Sequence, residues 1–147
     1  MNVSTAIFNG VMVVVDVLAF WLVLQCIRSP SQPPVRQRVM IALALLGGMM
    51  AAAGVGLAED PFGIMRLWCW GLFVHLPAFL TAAGVFLLRK SRGWGITGLL
   101  ASLPIVTVGI DAFFIEPTWL EVTHVQLSSD KLTKPLTIVV IADFQTD

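Results

Sequence analysis

Three ionisable side chains, Asp16, His75 and Asp111, interrupt stretches of sequence that are otherwise apolar. A carboxylate and an imidazole can pass a proton between them or hold a cation, and an ionisable group at bilayer depth is costly enough to suggest a purpose. Two readings are open. Either the three residues face one another as a proton or cation relay, or they hydrogen-bond inside a packed bundle. Position bears on the choice, because Asp16 lies near the middle of its stretch while Asp111 falls within a turn of the end of its own, where it can reach the interface. A second pair stands near the C-terminus. Asp143 and Gln145 follow the β-branched run Leu136-Thr137-Ile138-Val139-Val140-Ile141-Ala142. Residues two apart in extended backbone project to one side, so both could offer oxygens to a single hard cation. A carboxylate at the C-terminal end of a buried strand is a recurrent way for layered α/β folds to build a site, although such a residue also serves as a turn or cap.

The elements that must carry these residues follow from composition. Of 147 residues, 57% are hydrophobic and 12% charged, and the mean hydropathy is +0.87. A water-soluble domain carries about 25% charged residues, and a disordered chain lacks this apolar content. Nine basic residues against nine acidic ones leave no overall excess of the kind that marks a nucleic-acid partner. Two cysteines, Cys26 and Cys69, cannot make a disulfide scaffold, and they are expected in opposite leaflets. The remaining class is an integral membrane protein whose partner is the lipid bilayer.

A helix needs roughly 20 apolar residues to cross a bilayer, and four stretches qualify, at about 4–27, 39–58, 67–88 and 93–115. No Lys or Arg precedes the first stretch, which is also too long for a cleaved signal peptide, so it reads as a retained helix. The expected fold is an all-α membrane bundle of four transmembrane helices over residues 1–116. Two β-strands, at about 119–127 and 136–142, follow in residues 117–147.

Charge in the linkers orients the bundle. Arg28, Arg36 and Arg38 lie in the first linker and Arg89, Lys90 and Arg92 in the third, whereas Glu59 and Asp60 lie in the second. The positive-inside rule puts the first and third linkers in the cytoplasm and both termini outside, giving a multi-pass protein. Gly48, Ala52 and Gly56 in the second helix, and Gly98 and Ser102 in the fourth, are spaced for close helix contact within the bundle. Pro77 and Pro104 free carbonyl groups inside their helices.

The C-terminal residues carry a resemblance. Four membrane helices, then Pro117-x-x-Leu120-Glu121-Val122-Thr123-His124, then an apolar strand ending in Ala142-Asp143-x-Gln145, resemble the N-terminal part of membrane-anchored metallophosphoesterases of the calcineurin-like superfamily. In that family the first motif is usually Asp-x-His, which ligates one metal of a dinuclear centre. Here the motif reads Asp143-Phe144-Gln145, and some branches, including Mn-dependent nucleotide-diphosphate hydrolases, resemble it in using Asp-x-Gln. The resemblance implies the start of an α/β domain with Asp143 and Gln145 as metal ligands. It further implies a divalent Mn, Fe or Zn centre and a phosphorylated small molecule or lipid as substrate. The later family motifs, Gly-Asp, Gly-Asn-His-Asp/Glu, a lone His and Gly-His-x-His, do not occur here. The expectation is therefore a truncated domain that by itself neither binds metal stably nor hydrolyses substrate. The alternative expectation is a non-enzymatic transporter or sensor that uses Asp16, His75 and Asp111.

Overall fold

The computed structural model describes residues 2–28 and 35–118. Helix α1 spans Val3–Arg28 and α2 spans Val35–Leu57. The third crossing is composite: α3 (Pro61–Trp70), a π-helical turn (Gly71–His75) and α4 (Leu76–Leu87). The fourth is α5 (Arg92–Ile110), extended by a second π turn (Asp111–Ile115) and a short 3-10 turn (Glu116–Thr118). Among the described residues, four helices are thus long and apolar enough to cross a membrane. The described residues contain no strand. The strands expected over 119–127 and 136–142, with Asp143 and Gln145, lie outside the described residues.

Two helix starts differ from the sequence expectation, each for a local reason. The third crossing begins at Pro61 rather than near residue 67, because Asp60 caps it: its Oδ1 accepts a hydrogen bond from the Gly63 backbone N–H at 2.5 Å, with proline at the first helical position. The run Pro61-Phe62-Gly63 is therefore a first helical turn and not a linker. Likewise α2 begins at Val35, which takes Arg36 and Arg38 into the helix. Arg38 is buried, and its Nη1 donates to the Gln25 side-chain oxygen of α1 at 3.3 Å.

The π turn lies directly ahead of a proline. Pro77 has no N–H and crowds the carbonyl four residues before it, which weakens the α ladder at this point. Immediately before the proline, the Leu76 N–H bonds instead to the Gly71 carbonyl, five residues back. A turn widened by one residue shifts the helical phase by about 100° for everything that follows. Pro104, by contrast, sits inside α5 without ending it.

Phe8, Met12, Val15, Ala19 and Val23 recur at three- and four-residue steps along α1 and are all buried. That stripe packs in one cluster with Val39, Ala42 and Leu46 of α2, Leu67 of α3, and Phe79, Ala83 and Leu87 of α4. Between α4 and α5 the backbones approach closely. A Cβ on Gly95 would lie 2.7 Å from the Leu88 nitrogen and 2.9 Å from the Gly84 oxygen, and one on Gly98 would lie 3.1 Å from the Leu80 oxygen. Thr81 donates to Ser102 across this interface at 3.1 Å. Small residues here replace the hydrophobic driving force that helices in lipid lack.

The small residues of α2 behave differently from expectation. Gly48, Ala52 and Gly56 are exposed, and a Cβ on either glycine would meet nothing within 4 Å. Among the α2 glycines it is the buried Gly54 that makes a close contact, against the Trp68 indole. The Gly48-to-Gly56 stripe therefore faces outward, as do the large apolar side chains Leu100, Leu103 and Phe114 of the last crossing. An apolar exterior of this kind is what a bilayer solvates.

Candidate functional site in the helix bundle

The structure joins two of the three membrane-depth ionisable residues and adds one that is not ionisable. His75 is 5% exposed, and its Nδ1 lies 2.7 Å from Oδ2 of Asp16. Its Nε2 lies 3.1 Å from Oδ1 of Asn9. Asp111 takes no part. It is exposed at the start of the second π turn, so of the three residues in the relay reading only Asp16 and His75 meet, and Asn9 completes their cluster.

Helical geometry explains how one imidazole reaches both partners. Asn9 and Asp16 are seven residues apart, which places them on one face of α1 about 10 Å apart along the axis. His75 enters between them from the widened turn of the third crossing. Phe8 packs edge-on against the imidazole, with centroids 6.3 Å apart and planes at 76°. A single π turn inside a long helix commonly marks a functional position. Asn9 was legible only as a polar residue in an apolar run, and its seven-residue spacing to Asp16 is the signal that could have found it.

The cluster's hydrogen-bond inventory is uneven. Both ring nitrogens face oxygen atoms, and imidazole satisfies two acceptors at once only when each nitrogen carries a proton or when a facing carboxyl carries one. With the Asn9 oxygen toward Nε2, one hydrogen occupies that bond and another lies between Nδ1 and Asp16. Removing a proton requires Asn9 to turn its amide and present N–H to the ring. The other carboxylate oxygen of Asp16, Oδ1, is buried and has no hydrogen-bond partner. Elsewhere among the described residues, no group of three or more His, Cys, Asp or Glu side chains converges as a metal site would.

At the α1 N-terminal end, a cavity of about 220 Å³ opens to the surface, lined in part by Asn2, Ser4, Glu59, Asp60 and Arg66. Comparison of the chain with known protein families, with curated proteins and with solved structures finds no match in any of the three.

Proposed function

We propose that this chain is the membrane-spanning part of a metal-dependent phosphoesterase, with four helices carrying an extracytoplasmic catalytic domain that starts after residue 117. One observation carries the reading: the Asp143-x-Gln145 motif closes an apolar, β-branched segment downstream of four membrane-spanning helices. In this reading Asp143 and Gln145 supply the first ligands of a dinuclear centre. Ligands from other segments are required to activate water and hold the phosphate oxygens. Substrates would be phosphate esters or diphosphates, either soluble or at the lipid surface. The test is the transcript across codon 147. A frame that continues into Gly-Asp, Gly-Asn-His and Gly-His-x-His, in that order, is expected, and an in-frame stop with no such motifs nearby would remove the reading.

A second reading is favoured by a different observation, the buried contact between His75 and Asp16. It makes the bundle a proton-handling device, transporter or sensor, whether or not a catalytic domain follows. Proton flux in vesicles containing the full chain tests the transporter form: flux that Asp16→Asn abolishes would establish it. Absent flux would leave the sensor form as the surviving version of this reading.

A further inference from the structure

The second reading does not say from which side a proton reaches the cluster, and the distribution of polar groups along α1 bears on that. We propose that Asn9, His75 and Asp16 form a proton-binding site open to the solution at the Asp60 end of the bundle and closed toward the Arg89 end. This rests on the reading of His75 and Asp16 as a proton-handling pair and deepens it, because a site with one entrance reports the pH of one compartment and does not conduct.

Toward the Asp60 end, polar groups continue outward from the cluster. Thr5, one turn before Asn9 on the same face of α1, is buried. Ser4 and Asn2 follow and line the surface cavity with Asp60. A hydroxyl accepts a hydrogen bond and donates one at the same atom, the property a short relay requires, and the Asn2 amide can hold water at the mouth.

Toward the opposite end the same helix turns apolar. Ala19 and Val23, the next inward-facing residues after Asp16, are fully buried, as is Ala42 of α2, and Leu46, Ala83 and Leu87 are nearly so. On α1 the next polar contact is the bond between Gln25 and Arg38, while the Thr81 and Ser102 hydroxyls bond to each other between α4 and α5. Gln25 lies nine positions beyond Asp16 on α1, about 13 Å of helix. The cluster that α1, α2 and α4 share over that interval is made of apolar side chains, and unsolvated hydrocarbon of this thickness blocks a proton as it blocks other ions.

Few other charges act on the site. From Val39 to Leu57, α2 has no ionisable residue, and neither has α4 from Leu76 to Leu87. Arg66, at the cavity, and the partly buried Cys69 of α3 make no hydrogen bond to the cluster. From Gly93 to Ile110, α5 has none, and Asp111 beyond it is exposed.

The binding step is an addition. A proton from the Asp60-side solution adds to the lone pair of His75 Nε2, the hydrogen between Nδ1 and Asp16 stays in place, no electron moves, and Asn9 turns its oxygen to accept from the new Nε2–H. The experiment uses the full chain, 15N-labelled at histidine and carrying His124→Gln so that His75 gives the only ring signal, reconstituted in lipid vesicles in one orientation. Solid-state NMR then follows the ring nitrogens while pH is changed on one side at a time. The expected result is a change in the His75 signals when pH changes at the Asp60 side, and none when only the Arg89 side changes. Asp16→Asn replaces the carboxylate that faces Nδ1 and should alter the His75 ring-nitrogen signals. A response to the Arg89 side, alone or equally with the other, would overturn the one-sided site while leaving the proton-handling pair intact. Signals indifferent to pH on both sides would overturn both.

Discussion

His75 and Asp16 meet at 2.7 Å across 59 positions of sequence, with the imidazole buried and the carboxylate mostly so. The contact ties the third crossing to the first at mid-depth, where either group alone would be stranded in an apolar interior. The pair should therefore be worth more to the fold than either residue is by itself.

That relationship can be measured as a coupling. His75→Leu leaves Asp16 without its partner and should cost about 1–2 kcal/mol, the upper part of the range for hydrogen bonds between membrane helices. Adding Asp16→Leu should recover much of that loss, because an apolar pair needs no partner. Unfolding in mixed micelles of the two single variants and the double variant gives the coupling energy. Additive single effects would mean that the contact contributes nothing.

The α4–α5 interface should be intolerant of bulk at one position and indifferent at another two residues earlier. Gly95→Ala places a methyl group against the backbone of Leu88 and Gly84 and should destabilise by about 1–3 kcal/mol. Gly93→Ala meets nothing within 4 Å and should be neutral or slightly stabilising, since alanine is the better helix former by about 1 kcal/mol. Thermal unfolding of both variants in the same detergent checks the contrast.

Asp60 starts the third crossing through its bond to the Gly63 N–H. Asp60→Ala should cost about 0.5–2 kcal/mol, and Asp60→Asn much less, because asparagine retains a capping oxygen. Hydrogen exchange should show faster exchange confined to the first turn, Phe62 to Ile64. Unchanged protection there would mean that the cap is not what holds the start of α3.

Orientation is testable by cysteine labelling from one side of the membrane. Single cysteines at Glu59 and Thr118 should label from outside the cell, and one at Lys90 only from inside. This is the outcome that the basic third linker and the acidic second linker call for. Labelling of Lys90 from outside would reverse the assignment. Labelling of Glu59 and Lys90 from the same side would contradict the third crossing itself.

Much of the bundle was legible without coordinates. Hydropathy is local, so the number of crossings and the interior extent of each could be read directly, and α1 was bounded to within a residue at either end. The fourth crossing was bounded as closely, but the starts of the second and third were not. Whether Pro61-Phe62-Gly63 is a linker or a first helical turn depends on a capping bond that spacing alone does not require. Whether Arg36 and Arg38 precede α2 or belong to it depends on Gln25 of another helix being there to accept from Arg38.

The candidate site divides in the same way. The sequence alone determined that Asp16, His75 and Asp111 stand at membrane depth, because an ionisable residue in an apolar run is visible in one dimension. Only the tertiary structure decided that the first two meet, that Asn9 completes the cluster and that Asp111 stands apart. The same holds for the glycines, where Gly95 and Gly98 face a partner helix while Gly48 and Gly56 face outward. The physical reason is that burial cost is a property of each residue and its near neighbours. Facing is a property of helix phase, and here a π turn ahead of Pro77 resets the phase of the third crossing just where His75 enters the bundle.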